Sequence, residues 1–396
     1  MRNGYKIYDS DTHINPSAED LDKYVDPEFR SRLTDLEPYK TPNGPEVEGL
    51  PQRHVYQMGQ LRYRRVLGEA GNDPVLARQR INASGATRGG GGNQKAKVQL
   101  RVGPNGIKDG DPKDRVMDMD HEGCDVQFMF TGGWAGVGGE DPTLQAGLMR
   151  AYHRYLDDYC GDYPDRLKAG LVVSAVNVEV SVEEIKKWGT SKWAAGILPW
   201  IGRNTPLDHP DLEPIWAAAA EYDLPVAWHG NTWQYPYFPG YEDVWENVLL
   251  ARTASHPWNA QRFIAAFIGA GIMDRYPDIR MGVIEAGSSW LPFWSARLTE
   301  QEEYVGGAQP LQHECSEYFT NGRFFCSMEQ WEGEKLTKFV SDYLGDGVLM
   351  YASDYPHMEC AFPDHADIVF PWVNTFGEES MKKLMYDNAA RFFKQT

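Results

Sequence analysis

The chain has few cysteines, and the five it has, Cys124, Cys160, Cys315, Cys326 and Cys360, are widely spaced with no C-x-x-C pair. That odd, scattered set excludes a disulfide framework and a zinc ribbon, and a reducing cytoplasm is the natural expectation. Basic residues are scarce beside acidic ones, 39 against 57, which leaves a net charge of −18. Without clustered Lys and Arg nothing rewards a phosphate backbone, so no nucleic-acid partner is expected. No stretch approaches 18 apolar residues, and the opening MRNGYKIYDS has no apolar centre of signal-peptide type. Neither a membrane span nor secretion is expected. Four consecutive glycines, Gly89 to Gly92, have no G-K-[ST] after them, so they are not a phosphate loop. HEGC at 121 is not H-E-x-x-H, which removes the zincin motif.

What is present is material for a large core. Of the 396 residues, 42% are hydrophobic and 13% aromatic, which suits one barrel-sized domain. Eight short apolar or β-branched runs recur: 5–14, 126–132, 169–175, 194–200, 224–230, 280–287, 323–328 and 347–354. Between them lie segments of helical period at 143–163, 211–223, 257–271, 289–305 and 334–345, with a last at 378–393. In the first of these, Leu144, Leu148, Tyr152, Tyr155 and Tyr159 form one stripe. Strand and helix alternating eight times predict an α/β fold of (β/α)8 TIM-barrel type, whose strands are apolar on both faces. An open doubly wound sheet is the competing architecture, and it gives no reason for what sits at the strand ends. A long insertion at 40–112 follows the first strand, within one domain spanning 1–396, and is expected to act as a lid or an interface arm.

In such a barrel the chemistry sits at the C-terminal ends of the strands. The first strand ends in DSDTHINP, where Asp11 and His13 share a side because strand side chains alternate. Strand five ends in His229, strand six in Glu285 and strand eight in Asp354. Each alone reads most simply as a cap or a hydrogen-bonded core residue. Together, all at carboxyl ends, they describe a mixed nitrogen and oxygen site for a divalent ion. Zn2+ fits best, with Mn2+ or Fe2+ as alternatives and one or two ions per chain.

The segments DSDTHINP, HPDLEPIWAAAAEYDLPVAWHG, GIMDRYPDIRMGVIEAG and LMYASDYPH resemble the amidohydrolase superfamily. The similarity extends to DRVMDMDHEGCDVQFMF and DYPDRLKAGLVV and is greatest to the branch of aminocarboxymuconate-semialdehyde and hydroxybenzoate decarboxylases. The resemblance implies a metal-dependent barrel in which Asp11, His13, His229 and Asp354 ligate the ion. Two positions depart from the branch. Asp11 stands where many relatives have the first His of H-x-H, and Glu285 replaces a histidine common on strand six. Strand four, AAGILPW, also lacks the lysine that bridges two metals in two-zinc relatives.

Three reactions are compatible with these residues. In hydrolysis of a small acid or amide, Asp354 takes a proton from metal-activated water and Glu285 serves as general acid. In non-oxidative decarboxylation the metal holds the substrate's oxygens while a protonated group delivers a proton to carbon. Alternatively Glu285 bridges two ions, with His256 or His357 nearby, in a dinuclear Fe or Mn/Fe oxygen-dependent hydroxylase. A catalytically silent subunit of a hetero-oligomer is the reading without an enzyme. His256 is a catalytic candidate that could equally start the next helix. His357, Trp134, Trp200 and Trp233 are candidate walls for a small-molecule substrate, with plain packing as their alternative. His54, His121, His153, His209, His313 and His365 are expected at the surface. A homo-oligomer, or a hetero-oligomer with a paralogue, is expected from the long arm.

Overall fold

A computed structural model of the chain describes residues 1–42, 51–56, 111–137, 141–201, 205–230, 248–308, 310–357 and 360–394. Eight parallel strands form one sheet in chain order. They are β1 (Tyr8–Ile14), β2 (Val126–Thr131), β3 (Leu167–Ser174), β4 (Ala194–Trp200), β5 (Val226–His229), β6 (Met281–Ile284), β7 (Phe324–Ser327) and β8 (Leu349–Met350). The ring closes just beyond β8: Ser10 donates its N–H to the Tyr351 carbonyl at 2.9 Å, and Thr12 bridges in parallel to Tyr355. The predicted (β/α)8 barrel is the fold observed.

Helices separate the strands: α1 (Pro112–Glu122), α2 (Pro142–Gly161), α3 (Val178–Trp188), α4 (Glu213–Glu221), α5 (Val248–Gly269), α6 (Leu291–Val305) and α7 (Gly333–Leu344). The starts of α1 and α2 are written in the sequence as Asp-Pro. Asp111 accepts from the Lys113 N–H, and Asp141 accepts from the N–H groups of Thr143 and Leu144, while the proline occupies a position whose N–H would have no partner. α2 buries the aromatic and leucine stripe that its period predicts. α1 and α3 escaped the sequence reading; α3, which mixes three valines and an isoleucine with charge, follows β3 as VEVSVEEIKKW and has the β-branched content of a strand.

The C-terminal segment is less regular than its period suggests. α8 (Glu378–Lys382) and α9 (Asn388–Phe392) flank a π-helical turn, Lys383–Asp387. The interruption is used: the Leu384 carbonyl accepts from the Tyr351 N–H, and the Asn388 amide donates to the Leu349 carbonyl, tying this segment to the end of β8. Beyond it, Phe392 and Phe393 pack against Phe325 of β7, Phe128 of β2 and Tyr8 of β1. These large rings fill the space the strands enclose.

Only the edges of the 40–112 insertion are described. Lys40–Pro42 pairs antiparallel with His54–Tyr56 in a two-stranded ribbon, and the four glycines lie outside the described residues. Among the described residues no helix is long and apolar enough to cross a membrane. All five cysteines are free and buried.

Candidate metal centre

Asp11 and His13 sit in β1, whose seven residues are all buried. A register irregularity between Asp9 and Thr12 bends the strand here, as bulges do beside functional sites. The backbone at this point is pinned from both sides. Asp354 donates its N–H to the Asp11 carbonyl, and buried Arg115 of α1 donates to the His13 carbonyl at 2.9 Å.

The other strand ends bring their side chains to the same place. His13 Nε2 lies 2.9 Å from Asp354 Oδ1, 3.3 Å from Glu285 Oε2 and 3.6 Å from Asp11 Oδ1. His229 Nε2 lies 3.0 Å from Glu285 Oε2 and 3.6 Å from Asp11 Oδ1. His357 joins from the loop after β8, its Nδ1 2.7 Å from Asp354 Oδ1 and its ring stacked on His13 at 4.0 Å. Phe130 of β2 packs on the His229 ring at 4.7 Å, an apolar wall beside the cluster. The two imidazoles and three carboxylates singled out by strand-end position are thus assembled, with His357 added.

Two of these residues occupy left-handed backbone, Glu285 at φ 52° and Asp354 at φ 60°. For residues with a Cβ that conformation costs on the order of 1–3 kcal/mol, and it recurs at functional sites. Gly230 makes room for one of them. A Cβ there would lie 2.2 Å from the Glu285 carbonyl oxygen, so only glycine lets the end of β5 approach β6 this closely. The Gly230 carbonyl also lies 2.7 Å from His229 Nδ1. It can only accept, so Nδ1 carries a proton and Nε2 faces the cluster, where it ligates a cation once its own proton is lost.

The electrostatics suit a divalent cation. Burial pushes the carboxyls of Asp11 and Asp354 up, since little water remains to solvate them. Burial pulls the His13 imidazole down to about 4, with His357 adding to the effect. For His229, burial pulls downward, but Glu285 and Asp11 outweigh it and the ring is held well above its ordinary value. Despite these close approaches, both carboxylate oxygens of Asp11 and of Asp354, and Nε2 of both His13 and His229, are buried without a well-aligned hydrogen bond. Buried polar atoms of this kind are costly unless something else satisfies them, and this mixed set suits a divalent cation. The candidate ligand atoms fall into two overlapping groups, Asp11, His13, His229 and Glu285, and His13, Glu285, Asp354 and His357, each within 4.8 Å.

Two of the remaining sequence candidates are described and two are not. Trp134 is 2% exposed and packs on Tyr152 of α2 at 4.8 Å, a packing position. Trp200 ends β4 half-buried against the core. Trp233 lies outside the described residues. His256 falls within α5, and its side chain is outside what is described.

Two acids were missed. Glu329, two residues past β7, is buried, accepts from Ser327 Oγ at 3.3 Å, and is pushed up by burial and then by Asp11, Asp354 and Glu285. The same Ser327 Oγ accepts the Glu285 N–H. Asp9 accepts from the N–H groups of Asp11 and Ser353 and from Ser353 Oγ, so it braces both strands that carry ligands. The signal for Glu329 was its strand-end position, obscured by the acidic run that follows. His153 and His365 correct the surface expectation. His153 is fully buried between Glu184 and the Val172 N–H, and His365 accepts the Ala361 N–H.

A parallel barrel with an acidic, histidine-containing cluster at its strand ends defines a metal-dependent barrel enzyme as the class. A family model described as amidohydrolase matches residues 105–395, and the chain belongs to the amidohydrolase family. Solved structures with this fold include an amidohydrolase from Mycobacterium avium subsp. paratuberculosis, 18% identical, with TM-score 0.69 over 98% of this chain and 99% of that one. Another is 5-carboxyvanillate decarboxylase from Novosphingobium aromaticivorans complexed with manganese and 4-hydroxy-3-methoxy-5-nitrobenzoic acid, 19% identical, with TM-score 0.63 over 99% and 96%. A third is 2,6-dihydroxybenzoate decarboxylase from Rhizobium, 18% identical, with TM-score 0.59 over 70% and 86%. No curated protein is significantly similar to the chain.

Proposed function

We propose that this protein is a metal-dependent decarboxylase of a small aromatic or enoic acid. The observation that carries the reading is the clustering of Asp11, His13, His229, Glu285 and Asp354, in which the ligand atoms of Asp11, His13, His229 and Asp354 are buried without a well-aligned hydrogen bond. The manganese-bound decarboxylase with the same fold supports it by analogy. Asp11, His13, His229 and Asp354 would hold the ion. A divalent ion bound there would supply Lewis-acid charge to the oxygens of a bound acid, and the donor set admits Zn2+ or Mn2+.

The chain's own residues provide the rest. Gly230 fixes the His229 tautomer, and Arg115 and Asp9 hold the β1 backbone so that Asp11 and His13 converge. Decarboxylation breaks the C–C bond, CO2 leaves, and the electron pair stays on carbon until a proton arrives. We assign that proton to Glu329, which Ser327 Oγ links to the Glu285 backbone, and water returns one to it. Hydrolysis of an amide uses the same donors, with Asp354 taking a proton from water. The free, buried cysteines support a cytoplasmic setting.

One observation favours a second reading. Glu285 and His13 belong to both ligand groups, and a carboxylate shared between two ions would support a dinuclear Fe or Mn/Fe oxygen-dependent hydroxylase. The test is elemental analysis of the purified protein together with CO2 release from a panel of hydroxybenzoic and enoic acids, with and without O2. One ion per chain and O2-independent CO2 release support the decarboxylase. Two iron or manganese ions and O2-dependent turnover overturn it in favour of the hydroxylase.

A further inference from the structure

Large apolar side chains left in water are not scattered over this protein. Apart from Met1 and Met117, every exposed large hydrophobic among the described residues lies on α6, on α7 or in the turn leading into α7. The two helices are neighbours in the outer layer. On α7, Thr337, Val340 and Leu344 face the core, while Leu336, Phe339 and Tyr343 stand 45%, 52% and 53% exposed at helical spacing. This helix is therefore apolar on two sides, where a surface helix needs one such side. Trp331 in the preceding turn and Phe293 on the neighbouring α6 are 65% and 64% exposed. Soluble monomers seldom leave a concentrated apolar area of this sort uncovered.

The charges on this face indicate what covers it. Lys335 and Asp342 are both exposed and stand two helical turns apart on one edge of the stripe, Asp342 also pairing with Lys338 one turn before it. Leu336 and Tyr343 have the same separation, and Phe339 stands within about half a residue of both midpoints. A two-fold axis through Phe339 therefore brings Lys335 opposite Asp342 of an antiparallel copy, and Leu336 opposite Tyr343. A parallel arrangement would set lysine against lysine. The pattern is complementary to itself, which is the requirement for an isologous interface.

We propose that this face is the interface of a homodimer, with α7 packed antiparallel on α7 of a second copy and α6 flanking it. The proposal uses neither the metal cluster nor the reaction. Sedimentation of the full metal-loaded chain at tens of micromolar tests it. The expected particle has about twice the 44.9 kDa of one chain, and Phe339→Glu should reduce it to one chain with an unchanged circular dichroism spectrum. Lys335→Glu should weaken association about tenfold or more, and Lys335→Glu with Asp342→Lys should restore it. A monomeric wild type overturns the proposal, as does a dimer that survives Phe339→Glu or a double reversal no tighter than the single one. Should Phe339→Glu fail to fold, the exposed charge pair decides alone.

Discussion

The Asp354 N–H donates to the Asp11 carbonyl at 3.0 Å, so the carboxylate after the last strand hangs from the backbone of the first. Barrel closure and assembly of the metal centre are therefore one event. Asp9 reinforces the seam by accepting from Asp11 and Ser353 together.

Asp9→Asn should weaken that brace. An amide oxygen cannot replace two carboxylate oxygens that accept three donors, and a buried donor left unpaired costs about 1–3 kcal/mol. The expected result is lower thermal stability together with a roughly 10- to 100-fold loss of metal affinity, the usual scale for groups that orient ligands. Calorimetric metal titration and a melting curve measure the two effects separately.

Glu285 has a carboxylate in the centre and backbone at φ 52°. Glu285→Gly should relieve about 1 kcal/mol of strain and remove a carboxylate from the cluster, giving an apoprotein at least as stable as wild type with little or no activity. Glu285→Gln keeps the strain and should also lose activity. If Glu285→Gly retained wild-type turnover, the side chain would have no place in the mechanism.

Gly230→Ala should do damage through backbone alone. The added methyl would meet the Glu285 carbonyl at 2.2 Å, so either β5 or β6 must shift and separate His229 from Glu285. Activity should fall at least 100-fold, the scale attached to a displacement of about 1 Å in an active site. A crystal structure or a metal titration of the variant would locate the shift.

The sequence displays the barrel clearly because its strands are buried on both faces and therefore read as unbroken apolar runs between turn residues. All eight appear within a few residues of their observed positions. Asp11, His13, His229, Glu285 and Asp354 were accessible for a related reason: each lies toward the carboxyl end of a strand or just past it, and the fold sends those ends to one rim. Glu329 obeys the same rule but is followed by QWEGE, which reads as the acidic start of a helix. Asp9 was hidden because its partner Ser353 lies 344 residues away. His153 was misplaced because burial of an imidazole depends on distant groups, here Glu184 and the Val172 N–H. Local pattern carries periodicity; it does not carry such pairings.

Chelation should destabilise the holoprotein. Without a cation, the buried carboxylates of Asp11 and Asp354 and their unpartnered neighbours lose their compensation. Adding metal at about 1,000 times its Kd should restore about 4 kcal/mol by mass action. The melting temperature should therefore fall with a chelator and rise with Mn2+ or Zn2+, while Asp354→Ala should show neither response. An unchanged melting temperature after complete removal of metal would count against the centre.

Stability should also depend on His365, which lies outside the centre. Its imidazole is buried and burial pulls it down to about 4 from 6.5. Between those values the unfolded chain binds a proton that the folded chain does not, so stability falls as pH drops from about 6.5 to about 4 and levels off below. The full effect of one such group is on the order of 3 kcal/mol. In His365→Leu the proton-binding difference vanishes, and urea unfolding at pH 7 and pH 5 should show a smaller loss than in wild type. Metal ligands titrate in both proteins alike, so the difference between the two slopes isolates His365; equal slopes would show that the imidazole is already solvated in the folded state.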